Sequence, residues 1–392
     1  MNGRRCVASH LSDAPVAADN LYVVAIGKAA CSMALGADDA FGIAGHQGKA
    51  LLLIGRDDCA APLNSFASVQ TLISSHPLPD QRSLAAGDAL VHFLEQAPAT
   101  AEFVFLLSGG ASALVEVLAD GVILSDLQRA NHWLLGSGLP IQTINQVRRC
   151  LSKIKGGKLL ANLRGRVCRV LLISDVMGDD PGMIGSGLLT PPSDARVDLT
   201  AVPEWLQSLC AANTDAPNGL VETSIIARNG DAVEAIVAYA TKQGFTVTVA
   251  PEMLGGDVET AAGHIAGVVL NADPGLYLWG GETTVQLPDT PGRGGRNQHL
   301  GLLLAQHMKG RAGITLMCVG TDGSDGNSDD TGTIVDGGTV ARGHAHGGNV
   351  DNAIRRFDSG GFLALSGDLV NTGPTGTNVM DLVMVVVEHV DA

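Results

Sequence analysis

The stretch FVFLLSGGASALVEVL, Phe103 to Leu118, decides how the rest of the chain is read. Its first five residues are apolar and read as a buried strand. Ser108-Gly109-Gly110-Ala111-Ser112 then breaks the run, and an apolar-rich segment with a helical look follows. Two glycines at such a junction have a plain reading as a tight turn, because glycine is the default residue for positive φ. They also have a chemical reading. Bare backbone N–H groups at a helix N-terminus attract phosphate or carboxylate.

The same alternation recurs on either side. Residues 21–26, 50–54 and 167–173 form further apolar runs of strand length. Residues 29–41, 81–94, 124–135 and 141–153 read as helices between them. Strands alternating with helices predict a parallel sheet with helices on both faces, and ligands in such sheets bind beyond the carboxyl ends of the strands. A Pro-rich stretch, Thr190-Pro191-Pro192-Ser193-Asp194, and a loop over 213–218 suggest a domain boundary near residue 220. Two domains follow, 1–220 and 221–392. In the second, residues 229–242 read as a helix capped by Asn229, with strands at 245–249, 276–279, 315–319 and 382–387. This half is α/β with an irregular, mixed order.

Composition narrows the function classes. The chain has 392 residues, 45% hydrophobic and 17% charged, which fits two or three well-buried domains. Its net charge is −15, which argues against nucleic acid as a partner, since that needs a basic face. No apolar stretch has the length of a signal peptide or a membrane helix, so a cytoplasmic protein is expected. The seven cysteines are scattered and lack any CxxC spacing, so reduced thiols are expected and a zinc site is not.

Nearly every strand ends in a Gly-rich polar loop that carries a cation or a carboxylate. Lys28 follows Gly27 at the end of the first run. A lysine there has an adverse helix dipole unless an anion compensates it. Ser108, Gly109, Gly110 and Ser112 are the candidate anion donors of the opening stretch. Between Arg148 and Lys158 lie five cations, and Lys155-Gly156-Gly157 suggests a kink where backbone and ammonium face one anion. Asp175 ends the 167–173 run and Asp322 the 315–319 run. A carboxylate at a strand end suits Mg²⁺, which takes one or two carboxylates together with phosphate oxygens and water. Glu282 follows Gly280-Gly281. Arg296 and Asn297 open a helix after Gly292-Arg293-Gly294-Gly295, where an arginine fork can hold a carboxylate or phosphate. Asn378, in Thr372-Gly373-Pro374-Thr375-Gly376-Thr377-Asn378, completes the set.

Nine motifs stand in one order: GKAACSMA, SSHPLPD, LSGGASALV, NQVRRCLSKIKGGKLL, SDVMGDDP, GGETTVQL, GRGGRNQHL, GTDGSDGNSDDTG and TGPTGTNVMDL. Together they resemble the glycerate 2-kinase (type II glycerate kinase) family, whose C-terminal part is the MOFRL domain, from about Leu21 to the end. The resemblance implies a Rossmann-like N-terminal domain, a smaller C-terminal α/β domain and an active-site cleft between them. It implies ATP-dependent phosphorylation of D-glycerate at the 2-hydroxyl, with Lys28 and Arg296 as key active-site residues; Asp175 or Asp322 would then bind Mg²⁺ or accept the hydroxyl proton. Glycerate and ATP are then the partners, and a homodimer is compatible with it. Glu282, Asn297 and Asn378 become candidates for substrate; Ser108, Gly109, Gly110, Ser112, Lys155, Gly156 and Gly157 become candidates for nucleotide or phosphate. Met177 stands where the family usually has proline, and Leu188-Leu189 where it usually has proline and threonine. The rival readings are an NAD(P)H-dependent hydroxypyruvate reductase and a non-catalytic sugar-acid binding protein. A nicotinamide site would call for GxGxxG, which occurs nowhere in the chain.

Overall fold

The computed structural model describes residues 2–14, 20–44, 48–137, 139, 141–191, 199–210 and 221–389. The expected loop over 213–218, the boundary near 220 and most of the 190–194 stretch lie outside the described residues. The chain divides into two compact units, Met1–Ala227 and Arg228–Ala392.

The first unit holds one six-stranded sheet. Its strands are β1 (Leu21–Ile26), β2 (Gly48–Gly55), β3 (Phe66–Ile73), β4 (Glu102–Leu107), β5 (Cys168–Ile173) and β6 (Glu222–Ala227). Every pairing is parallel, and the order is β3-β2-β1-β4-β5-β6. The central strands are apolar on both faces because helices cover both. Val23, Val24, Val104 and Phe105 are fully or almost fully shielded. Strand order reverses between β1 and β4, so the turns leaving these two strands flank the crevice where such sheets take ligands. β3 is an outer strand, exposed over most of its length.

The sequence foresees β1, β2, β4 and β5 but not β3 or β6. FASVQTLI mixes polar and small residues because β3 buries little more than Phe66. The helix expected after Ser108–Ser112 is one turn, Ala111–Leu114, and Val115 is already extended. The apolar residues beyond it are buried in irregular chain rather than on a helix face.

The second unit holds a mixed sheet of β7 (Val247–Val249), β8 (Gly275–Gly281), β9 (Ile314–Gly320), β10 (Gly332–Asp336), β11 (Leu369–Val370) and β12 (Asp381–Val387). The order is β11-β10-β9-β12-β8-β7; only β7 and β8 run parallel. The core packs the helices Val258–Val269 and Arg296–His307 on the sheet through Ile265, Leu300, Leu304, Leu316 and Val385. Asn229 does not cap its helix. It is the first helical residue; the backbone N–H of Arg228, the N-cap, donates to Asp231 instead. The buried Asn229 amide donates to the carbonyls of Val379 and Asp381, which pins the start of β12.

The expectation of seven reduced thiols is corrected as well. Cys31 and Cys59 form a disulfide, with Cα atoms 5.4 Å apart. Cys31 lies in the first turn of the helix after β1, and Cys59 follows β2. Neighbouring parallel strands bring these turns together across 28 positions of sequence, a spacing no local pattern reveals. Among the described residues no helix is long and apolar enough to cross a membrane.

Candidate functional site

In the first unit the turns after β1 and β4 lock back to back. The N–H of Lys28 donates to the carbonyl of Gly109 at 2.9 Å, and that of Ala29 to Ser108 Oγ at 3.0 Å. Gly27 has φ of 133°, and a Cβ there would lie 2.1 Å from Ser108 Oγ, so only glycine admits this approach. Gly110 has φ of 83° and faces two side chains. A Cβ on it would stand 2.9 Å from His76 Cδ2 and 3.3 Å from Lys28 Cγ. Lys28, His76 and Gly110 therefore converge at the switch point. His76 belongs to SSHPLPD but was not singled out from the sequence; its approach depends on the fold, since it leaves β3, two strands away from β1.

Ser112 shares a 2.7 Å hydrogen bond with Ser186 Oγ. The N–H groups of Gly156 and Gly157 donate to the carbonyls of Ser186 and Gly187, at 2.9 and 2.6 Å. This places both nominated glycines in a backbone seam with the 184–187 turn. Lys155 lies elsewhere than an open anion site. Its ammonium sits 2.5 Å from Glu116 Oε2, with the side chains 3% and 0% exposed. Lys158 turns back onto the carbonyls of Arg149 and Ser152, satisfying the C-terminal end of the helix Ile141–Cys150. Part of the basic run is thus structural. Asp175 is half-buried just past β5.

In the second unit Arg296 is the hub. Its Nε and Nη2 reach Asp381 at 2.5 and 2.9 Å, and Nη1 reaches Glu282 at 2.9 Å. Burial opposes its charge, but the hydrogen bonds and charge of Asp381, then the charges of Glu282 and Asp325, outweigh this and raise its pKa. Asp325 caps the same helix. It accepts the N–H of Asn297 at 3.1 Å and of Gln298 at 2.8 Å. Its burial pushes the carboxyl up to about 6 despite those two backbone donors. Asn297 is buried and also turns its amide toward Asp325, at 3.4 Å. Asp322 Oδ1 accepts from the N–H and hydroxyl of Ser324. A Cβ on Gly320 would lie 3.4 Å from Asp322 Oδ1 and 3.5 Å from Asp381 Oδ1, so both carboxylates border one residue. Asn378 is buried in the loop before β12. That loop is sewn to Thr321, whose hydroxyl donates to Met380 and accepts from the Val379 N–H.

The second unit thus gathers the nominated Glu282, Arg296, Asn297 and Asp322. It adds Asp325 and Asp381, which sequence reasoning did not select. Asp325 had a signal, since GTDGSDG offers two aspartates, and its capping role is invisible until the loop meets a helix 28 residues upstream.

Two family descriptions match the chain. The one described as a domain of unknown function (DUF4147) covers residues 1–212, and the one described as the MOFRL family covers residues 275–381. A D-glycerate 2-kinase of Thermotoga maritima is 32% identical, over 93% of this chain and 90% of its own. A protein of Agrobacterium vitis that goes under the name hydroxypyruvate reductase is 34% identical, over 92% and 97%. The crystal structure of a glycerate kinase from Thermotoga maritima superposes with a TM-score of 0.82 at 29% identity, over 99% of this chain and 95% of that one. With both descriptions matching in the order of the two units, the chain belongs to the glycerate 2-kinase family that joins a DUF4147 domain to a MOFRL domain.

Proposed function

We propose that the protein transfers the γ-phosphoryl group of ATP to the 2-hydroxyl of D-glycerate, giving 2-phosphoglycerate and ADP. The observation that carries this reading is Arg296: a guanidinium held on a buried carboxylate, with its side chain still 34% exposed. Such a cation is positioned in advance to meet a carboxylate or a phosphoryl group, which is what phosphoryl transfer asks of a protein. The close-packed turns with Lys28 at the β1–β4 switch point support a phosphate site in the first unit. In the reaction the 2-hydroxyl oxygen attacks phosphorus, the bond to the ADP oxygen breaks, and the hydroxyl proton passes to a carboxylate.

Among the described residues no group of three or more His, Cys, Asp or Glu gathers to hold a metal ion. Mg²⁺ fits nonetheless, because it is commonly held by one or two carboxylates and the nucleotide's own phosphates. Asp175 and Asp322 are the strand-end carboxylates for holding it or for taking the proton. When bound, Mg²⁺ would neutralise charge on the phosphates.

The test is direct. Purified protein with ATP, Mg²⁺ and D-glycerate should release ADP, and phosphorus NMR should show 2-phosphoglycerate. Absence of ADP release with D-glycerate and related short hydroxy acids would end the kinase reading. The name of the Agrobacterium relative motivates one control. NADH consumption with hydroxypyruvate, in place of ADP release, would favour a reductase.

A further inference from the structure

Two carboxylates of different character hold Arg296. Asp381 is 6% exposed and takes two of its nitrogens; Glu282 is 37% exposed and takes one. Asp381 opens β12 between two neighbours, paired with Gly281 of β8 and Gly320 of β9. A glycine on each side leaves a gap in the row of side chains, and the guanidinium bonds to the Asp381 carboxylate there. The backbone of Asp381 is also fixed, since its carbonyl accepts from the Asn229 amide at 3.0 Å. Moving Asp381 would mean dismantling the middle of the sheet. Glu282 stands just past the end of β8, partly in water.

A buried bidentate pair is costly to break, whereas a half-exposed ion pair through one nitrogen is weaker and more readily exchanged. A guanidinium has five N–H donors, and Asp381 uses the edge formed by Nε and Nη2. Its open hydrogen-bonding capacity lies at the Nη1–Nη2 end, where Glu282 already holds one nitrogen.

We propose that Asp381 is a positioning residue that aims this end of Arg296, and that Glu282 is an exchangeable counter-ion that yields Nη1 to an anionic group of the substrate. This rests on the kinase reading above, with the carboxylate of D-glycerate as the incoming anion. Glu282 is then a placeholder for the substrate and not one of its lasting contacts. A competing internal anion lowers apparent affinity by the fraction of time it occupies the site.

The experiment measures D-glycerate binding by calorimetry in the parent, Glu282→Gln and Asp381→Asn, and follows the Arg296 Nε–H by nitrogen NMR without substrate. Glu282→Gln should bind on the order of threefold to tenfold tighter, because the competing charge is gone. Unchanged or weaker binding in that variant overturns the exchange. Asp381→Asn should weaken binding roughly tenfold or more and lose slow exchange at the Nε–H, as one preorganised contact is released. Parental binding with a protected Nε–H in Asp381→Asn overturns the positioning role. Glu282 is half-exposed at a strand end, so its variant should fold even if Asp381→Asn does not. A parent that fails to bind D-glycerate would count against the kinase reading itself, while the NMR arm would still report on Asp381.

Discussion

Lys155 and Arg296 show how one residue type reads differently once its neighbours are known. Both are cations in Gly-rich surroundings of an acidic chain. The sequence places Lys155 beside two glycines, which suggests an anion site. The partner that absorbs its charge, Glu116, lies 39 residues away and is reached only when the loops after β4 and the helix Ile141–Cys150 fold together. Arg296 was legible as a candidate because it follows two glycines and opens a helix, where a cation meets an adverse dipole. Of its two carboxylates, Glu282, just past β8, was nominated from the sequence as a substrate contact, whereas Asp381, at the start of β12, was not selected. The buried pair has a measurable consequence. Lys155→Met takes the counter-ion from the buried Glu116, which keeps the Val117 N–H as a donor, and should lower stability by about 3–5 kcal/mol. The double variant Lys155→Met, Glu116→Leu should recover most of that loss. Denaturant melts of both will decide; a single variant within about 1 kcal/mol of the parent would mean the pair holds nothing in place.

The helix Arg296–His307 carries His299 and is capped by Asp325, and the titrations of these two groups oppose each other. His299 is buried, stacked on Phe357 with ring centroids 4.3 Å apart, and burial pushes its pKa from 6.5 down to about 4. Between those values the unfolded chain binds a proton that the folded one does not, so stability falls as pH falls through this window. Asp325, which caps the start of that helix from the loop after β9, is shifted from 3.8 up to about 6, mainly by burial. There the folded state holds the extra proton, so stability rises as pH falls through about 6 toward 3.8. Each effect is on the order of 3 kcal/mol, and the two largely cancel. His299→Gln removes one of them. Relative to the parent, that variant should gain about 2–3 kcal/mol on going from pH 7 to pH 4.5. Parallel stability curves for variant and parent would show that His299 is not held neutral. Elements of this kind explain which parts of the fold could be read in advance. β1 and β4 announce themselves by apolar runs. β3, β10 and β11 are short or exposed and carry no such signature, and β6 is only partly buried.

At the scale of the molecule, the parallel sheet of the first unit follows from the alternation of runs and helices, and the mixed sheet of the second from its irregular order. The Cys31–Cys59 bond was out of reach, because it depends on which strands become neighbours. The outer strand β3 has a consequence of its own. Phe66-Ala67-Ser68-Val69-Gln70-Thr71-Leu72-Ile73 contains no charge and no proline, and six of its eight residues are exposed. A long uncharged strand edge is a template on which further copies can add, and proteins usually guard such edges with lysine or a bulge. Chains that each carry −15 repel one another near neutral pH, which opposes such addition. Colloidal stability should therefore fail before the fold does, as acid protonates the carboxylates or salt screens them. Light scattering during a titration from pH 7 toward pH 5 should rise while the far-ultraviolet circular dichroism stays native. Gln70→Lys, on the exposed strand, should delay that rise; an identical titration in the variant would clear β3 of responsibility.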